Sequence, residues 1–256
     1  MRGVSVSTGM RQMATALFLA ALAPIAWSQI PGTQLPGGAR VPDFSGIWER
    51  VEGIRFAPPG QMPPYTPEYK ARYDAAMAAR ARGQEVLDPT SRCLPPGMPR
   101  VMNATYPIEV LQTPGRFTII AEWSSQVRRI FTDGRKHPPE DELDTTFNGH
   151  SIGHWEGTTL VVDTVGIRGD TSFDASPLTH SDQMTIRERI RMTGKDAWED
   201  ELTVTDPVAF TKPWVVTRHY KRAAPDQQIL EYICEENNRD VFLPGQNAGQ
   251  NAKPPR

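Results

Sequence analysis

Apolar and polar residues alternate through much of the C-terminal half, yet several apolar faces carry a charge. In residues 185–192 that face includes Glu188, and in residues 214–221 it includes Arg218. Asp163 interrupts a third such face. Because residues two apart share one face of a strand, these charges are either buried or line a polar cavity. A buried charge must be paired, hydrated or used in chemistry, so the pattern predicts β-structure with a polar interior.

Short alternating segments, separated by turn residues such as Pro-Gly and Asp-Gly, continue through most of the chain. The nine strand candidates are residues 44–51, 108–112, 117–123, 127–132, 159–165, 185–192, 198–205, 215–221 and 229–235. Strands at this spacing are typical of a meander, a sandwich or a barrel, and closure of a barrel removes exposed edges. We therefore predict an antiparallel meander that closes into a β-barrel.

One helical insert is predicted early in the chain. Thr66 can cap a helix that begins at Pro67, and apolar residues including Tyr69 recur at helical spacing until Gly83 ends the run. The fold class is therefore mainly β, with a short α-helical insert near residues 67–82.

The N-terminal segment has the features of a secretory signal peptide. Basic residues precede an apolar run at residues 13–25, and Ala26-Trp27-Ser28 follows at cleavage spacing. A membrane anchor is the alternative, but the run is shorter than a bilayer requires. We expect an exported protein, periplasmic or extracellular. The predicted organisation is a signal peptide at 1–28, a flexible lead-in at 29–42, a single β-barrel domain at 43–243 and a disordered tail at 244–256.

Composition and charge limit the classes of partner that this protein could bind. The formal net charge is −2 and no basic arm is present, which argues against nucleic-acid binding. No later apolar stretch is long enough for a membrane-spanning helix. Cys93 and Cys234 are the two cysteines, and in an oxidising compartment they most simply form one disulfide. Two unpaired thiols, or a metal pair with histidine, are the alternatives. The oligomeric state is left open.

The densest polar cluster is the segment 148–155, which we interpret as a loop between strands. His150 and His154 have a spacing that suggests zinc on a helix, but the surrounding glycines argue against a helix. A histidine base is favoured because its pKa lies near working pH, and a turn histidine bonded to backbone is the alternative. We predict no metal and no organic cofactor.

Glu188 is the charge with the strongest pattern behind it. A carboxylate among apolar neighbours has a raised pKa and can serve as a general acid or base. The alternative is a buried ion pair with Arg218 or Arg129, and Arg129 is expected to point inward because it shares a face with Val127 and Phe131.

A serine triad built on His180 is a weaker possibility. Ser151 or Ser181 could act as the nucleophile, but no Gly-x-Ser-x-Gly elbow is present. Trp48, Trp123 and Glu122 are expected to line the ligand cavity.

Two resemblances bear on the fold. Phe44-Ser45-Gly46-Ile47-Trp48 resembles the Gly-x-Trp segment that opens lipocalins and related calycin barrels, which implies a lipocalin-like barrel with Arg218 packed across Trp48. Segments such as Asn148-Gly149-His150-Ser151 and Cys234-Glu235-Glu236-Asn237 resemble a large group of exported bacterial proteins. That second resemblance implies secretion and a shared barrel, and it implies no reaction.

The resulting hypothesis is a secreted, cofactor-independent enzyme, a lyase, isomerase or hydrolase, that performs acid–base chemistry on a small aromatic or polyhydroxylated molecule. The alternative is a lipocalin-like carrier without catalysis. The predicted catalytic residues are Glu188, His150, Asp163, His180, Arg129 and Arg218. The predicted substrate-binding residues are Trp48, Trp123, Glu122 and Ser151.

Overall fold

Nine strands close into a barrel in chain order, in a computed structural model that describes residues 40–84, 86 and 88–234. The strands are β1 (Gly46–Arg50), β2 (Ile108–Thr113), β3 (Arg116–Ala121), β4 (Gln126–Phe131), β5 (His150–Glu156), β6 (Thr159–Val165), β7 (Thr185–Gly194), β8 (Ala197–Thr205) and β9 (Trp214–Arg222). The predicted mainly β fold that closes into a barrel is confirmed. The predicted signal peptide at 1–28 and tail at 244–256 lie outside the described residues.

Helical structure is confined to short connections. The α-helix α1 (Pro67–Ala81) begins at the proline that the sequence indicated, after Thr66, and ends one residue before the predicted end. Short 3-10 helices occupy Pro89–Arg92, Arg100–Asn103, Trp123–Ser125 and Glu140–Glu142. Within the described part of the chain, no helix has the length and apolarity needed to cross a membrane.

The alternation in the last strands is as predicted. Glu188 on β7 and Arg218 on β9 both lie on the buried face of the strand, among apolar side chains. Strand β8 follows the same rule, and its buried face includes Asp200. The barrel interior therefore does hold charged side chains.

Strand β5 was missed because its sequence has the composition of a loop. It pairs with β6 along seven residues, although it contains a glycine and two histidines and directly follows Gly149. A side chain at Gly153 would come within 3.0 Å of Ile130 Cγ2, so this glycine lets β4 and β5 approach closely. Conversely, the predicted strand at 229–235 is wrong for residues 229–234, which have no strand structure.

The meander is antiparallel except at one junction. Strands β4 and β5 run parallel and are joined by only two residue pairs, Ile130 with Ser151 and Phe131 with Ile152. A parallel neighbour requires a long return connection, and residues 132–149 provide it. We call this short junction between β4 and β5 the seam.

Aromatic side chains fill one end of the barrel. Trp198 stacks on Tyr220 with ring centroids 3.9 Å apart, and Trp48 and Phe44 meet Trp198 edge-on. The Trp48 indole N–H donates to the Phe44 carbonyl at 2.8 Å. Interiors of small barrels are commonly packed in this way, so Trp48 serves the core here.

The segment after β9 contacts the residues that follow β3 and is covalently attached to the loop that holds Cys93. Cys93 and Cys234 form the predicted disulfide. The Glu122 carboxylate accepts a hydrogen bond from the Leu230 amide at 3.0 Å, and the Ser125 hydroxyl donates to the Tyr232 carbonyl. A disulfide of this kind fits an exported protein.

Replacing Cys93 and Cys234 together by serine is expected to destabilise the protein. The bond closes a loop with a sequence separation of 141, for which loop-closure entropy gives about 4–5 kcal/mol. Urea unfolding of the variant and of reductant-treated wild type should give matching midpoints, both lower than that of the oxidised protein. A loss below about 1 kcal/mol would contradict the expectation.

Candidate functional site

A buried ion pair crosses the barrel interior. Both Nη atoms of Arg128 on β4 donate to the Glu188 carboxylate on β7, one of them at 2.7 Å. Arg128 is 2% exposed and Glu188 is fully buried. Arg128 Nη2 also donates to Thr164 Oγ1 at 3.0 Å and to Ser151 Oγ at 3.3 Å. The alternative interpretation of Glu188 as an ion-paired group is thus the one that the geometry supports.

The partner of Glu188 is the arginine next to the predicted one. The prediction that Arg129 points inward is wrong, because Gln126, Arg128 and Ile130 form the buried face of β4 while Arg129 is exposed. The apolar neighbours Val127 and Phe131 suggested the opposite register. Phe131 instead packs on the outer side, where the Arg135 guanidinium lies 3.8 Å from its ring centroid.

Asp200 adds a second buried carboxyl beside this pair. Neither carboxyl oxygen has a hydrogen-bond partner among the described residues. Desolvation, followed by the nearby Glu188 carboxylate, raises the pKa of Asp200 well above its ordinary value. Burial beside the Glu188 carboxylate therefore favours the neutral, protonated form of Asp200 in the folded protein.

Arg218 is buried, as predicted, but its partners are neutral. Its Nε donates to Asn103 Oδ1 at 3.0 Å, Nη1 donates to its neighbour's carbonyl, and Nη2 donates to the Phe56 carbonyl. Burial lowers its pKa. The expected packing across Trp48 is wrong: the guanidinium over that ring, 4.2 Å from its centroid, is that of Arg222.

Asp163, another predicted site residue, lies away from the interior. Asp163 faces outward on β6, 3.9 Å from Arg187, because the inward positions of that strand are Leu160, Val162 and Thr164. Its expected position on an inward face is therefore wrong.

Glu122 and Trp123 follow β3 at the barrel end instead of lining a lumen. The Trp123 ring lies between Tyr106, which stacks on it, and the Arg100 guanidinium 5.1 Å from its centroid. Together with the Glu122 contact to Leu230, this places both residues under the C-terminal segment.

His180 is held in a fixed orientation by two hydrogen bonds. Its Nδ1 lies 2.8 Å from the Ser181 carbonyl and its Nε2 lies 2.8 Å from Thr171 Oγ1. Burial lowers its pKa. Neither candidate triad is assembled, because Ser181 donates to Asp206 and Ser151 bonds to Thr164 and Arg128.

A surface pocket of about 380 Å³ opens at the seam, where β4 and β5 separate. Its lining brings together three of the predicted site residues, Arg129, His150 and Ser151. The other lining residues are Gln126, Val127, Phe131, Thr146, Phe147, Asn148 and Gly149. Ser151 lines this pocket as a residue, while its hydroxyl bonds to Arg128 and Thr164 inside the barrel.

His150 does not share a site with Glu188. Ser151 is buried in the interior, so the preceding residue of the same strand faces the outside of the wall. The barrel wall therefore separates His150 from Glu188. The joint proton transfer that we expected from these two residues is not supported by the geometry.

A second histidine, which the sequence did not indicate, pairs with His150. The Nδ1 atoms of His137 and His150 lie 2.8 Å apart, which allows one N–H···N hydrogen bond. Burial lowers the pKa of both rings. His150 lowers the pKa of His137 further, and Arg135 lowers the pKa of His150 further. Both rings are therefore neutral at pH 7.

Burial decides which ring donates. His137 Nε2 is buried and unpartnered among the described residues. An orphaned N–H is rarer than an orphaned acceptor, which favours the arrangement in which His137 Nδ1–H donates to His150 Nδ1. His150 then carries its proton on Nε2 and offers an N–H donor to the pocket.

The remaining pocket groups complete a polar set. Arg129 makes no ion pair with any residue in the part of the chain that the structure describes. Asn148 Oδ1 is a buried acceptor without a partner there. Two donors, one of them cationic, and one acceptor thus surround the space beside Phe131 and Phe147.

Comparisons with known proteins add little to this geometry. No protein-family model matches the chain, and no curated protein is similar to it in sequence. Among solved structures, a secretary abundant heat soluble (SAHS) protein from Ramazzottius varieornatus aligns with 70% of this chain and 95% of its own, at 11% identity and a TM-score of 0.32. A likeness at this TM-score carries no argument, and the barrel assignment rests on the strand pairing.

A double-mutant cycle of Glu188→Gln and Asp200→Asn is expected to be strongly non-additive. When Glu188 is removed, Asp200 can ionise and neutralise Arg128, which limits the loss. When both are removed, Arg128 stays buried without a counter-charge, at a cost of about 3–5 kcal/mol. Urea unfolding at pH 7 measures the four proteins, and a double variant no worse than the sum of the singles would refute the shared role.

Asp200→Asn alone is expected to raise stability at pH 7. The folded-state pKa of Asp200 is raised above its ordinary 3.8, so folding retains a proton that the unfolded chain releases. Native stability from this group is therefore lost as pH rises above about 3.8, and asparagine, which does not titrate, avoids that loss. The advantage of the variant should shrink as unfolding is measured from pH 7 down to pH 4; a pH-independent difference would contradict it.

Proposed function

We propose that this barrel binds a small hydroxylated aromatic carboxylate in the seam pocket. The observation that carries the proposal is the set of groups converging there: an arginine without a described counter-charge, a neutral histidine that offers an N–H, and an unpartnered amide oxygen. Ligand pockets combine apolar walls with a few such polar groups that fix orientation.

The charge of the pocket favours an anion. Arg129 faces the pocket, and Arg135 lies close enough to lower the pKa of His150. A guanidinium pairs with a carboxylate through two parallel hydrogen bonds, and the N–H of His150 can donate to the same group. A cationic ligand would meet repulsion from both arginines.

The walls and the acceptor favour an aromatic ring that carries a hydroxyl group. Phe131 and Phe147 are among the lining residues and supply aromatic surface. Asn148 Oδ1 can accept a hydrogen bond from a ligand hydroxyl, which would satisfy a buried atom that otherwise lacks a partner. The volume of about 380 Å³ lies near the lower end of the range for small-molecule sites, which suits a single-ring ligand.

Catalysis is the second candidate, and the His137–His150 contact is the observation that favours it. An imidazole held by a second group is a common arrangement for a general acid or base. Once the pair has taken up a proton, His150 could act as a general acid through Nε2, which returns the pair to its neutral state, and Arg129 would stabilise a developing oxyanion. A lyase, isomerase or hydrolase of this kind would lose turnover in His150→Asn, whereas a carrier has no turnover to lose.

Arg129→Gln is expected to weaken binding of 4-hydroxybenzoate about ten- to a hundredfold, the range that corresponds to losing a hydrogen-bonded charge worth about 1.5–3 kcal/mol. Isothermal titration calorimetry at pH 7.5 measures this effect. The amide 4-hydroxybenzamide, which has the same shape without the charge, should bind wild type and variant alike.

Arg55→Gln is the matched control, because Arg55 is also exposed but lies outside the seam pocket. It should leave the affinity unchanged. Equal affinities of wild type and Arg129→Gln for the carboxylate, or no binding to either, would overturn the proposed site.

A further inference from the structure

The contact between His137 and His150 sets how many protons the seam pocket can take up. At 2.8 Å, one Nδ1 must keep its lone pair to accept the hydrogen bond from the other. In the tautomer argued above, a first added proton can enter at His137 Nε2, the ring nitrogen with a free lone pair, and leave this bond intact. A second would place two N–H donors face to face between like charges, so the pair accepts one proton.

Fixed charges around the pair decide how readily this proton enters. Arg135 opposes it at His150, and Arg129 adds further positive charge in the pocket. Asp163 on β6 favours it at His137, although Arg187 stands 3.9 Å from that carboxylate. Asp133 is hydrogen-bonded to Arg135 and reduces the field of that arginine.

A further cation, Arg116, contacts the Phe131 ring that stacks on His150. Phe131 stacks on His150 with centroids 5.5 Å apart, and the Arg116 guanidinium lies 5.3 Å from the centre of that ring. Without a ligand, the pocket is therefore cationic and resists protonation. An anion in the pocket removes that resistance.

We propose that the His137–His150 pair makes anion binding at the seam proton-linked, so that a carboxylate ligand binds more tightly as pH falls below neutrality. This inference rests on the proposed function, since it concerns the same pocket. A bound carboxylate beside His150 stabilises the protonated pair, and by reciprocity the protonated pair stabilises the bound carboxylate. Binding then takes up a proton from solution.

The direction and range of the effect follow from linkage. In the free protein the pKa of each ring is held below the ordinary 6.5, and a bound anion raises the pKa at which the pair takes up its one proton. Affinity should therefore be constant above about pH 7.5 and should rise as pH falls below about 6.5. A rise of one pKa unit in the pair corresponds to a gain of about tenfold in affinity.

The experiment is calorimetric titration of benzoate, which stays ionised over pH 5.5–8.0, with benzamide as the uncharged probe. Wild type should bind benzoate severalfold more tightly at pH 5.5 than at pH 7.5, with about tenfold as the limit for a rise of one pKa unit. Titrations near pH 6 in two buffers of different ionisation enthalpy should show uptake of a fraction of a proton, up to one. Benzamide should show neither effect.

Two variants separate the pair from other histidines. His137→Gln/His150→Gln should bind benzoate more weakly than wild type, with the same affinity at both pH values and no proton uptake. His154→Gln removes an exposed histidine on the same strand, outside the pocket, and should retain the wild-type pH dependence. If the double variant binds too weakly to measure, the wild-type proton uptake decides.

The outcomes for the two proposals differ. Benzoate binding that is the same at pH 5.5 and 7.5, or that takes up no proton, would overturn the proton linkage and leave the binding site standing. Unchanged pH dependence in the double variant would assign the linkage to other groups and also overturn it. Absence of benzoate binding across the whole pH range would overturn the proposed function itself.

Discussion

The Arg128 guanidinium is the contact on which the closure of this barrel depends. Backbone pairing at the seam is limited to two residue pairs, so the ladder alone holds β4 to β5 weakly. From β4, Arg128 reaches Ser151 on β5, Thr164 on β6 and Glu188 on β7. One side chain thereby ties four strands together where the wall is least continuous. Because the charges are buried, separating these strands would leave an unpaired ion in an apolar interior.

That arrangement explains why the candidate binding site lies in the wall and not in the lumen. One end of the interior is occupied by stacked aromatics such as Trp198 and Tyr220, and Arg128 is already paired with Glu188. At the seam, by contrast, only two backbone pairs join β4 to β5, and side chains fill the rest of the space between the strands. His150 and Ser151 are adjacent on β5 and face opposite sides, so one strand supplies both the pocket donor and the interior contact.

The sequence predicted more of the scaffold than of the site. Alternation located Glu188 and Arg218 on buried faces, and the same rule applied to β8 would have found Asp200 between Trp198 and Leu202. For β4 the rule failed, because Arg128 and Arg129 are adjacent and the more apolar pair of neighbours belongs to the outer face. His137 could not be predicted at all, since its contact with His150 depends on how the 132–149 connection returns to the seam.

The charges already present in the interior explain why the pKa of Asp200 is raised. Arg218 takes its hydrogen bonds from carbonyl and amide oxygens such as Asn103 Oδ1, so it needs no carboxylate within hydrogen-bond reach. Glu188 already neutralises Arg128 through both of its oxygens. An ionised Asp200 would then face a like charge with no cation of its own. Burial and the neighbouring Glu188 therefore favour the neutral form of Asp200, which adds no further charge for the interior to compensate.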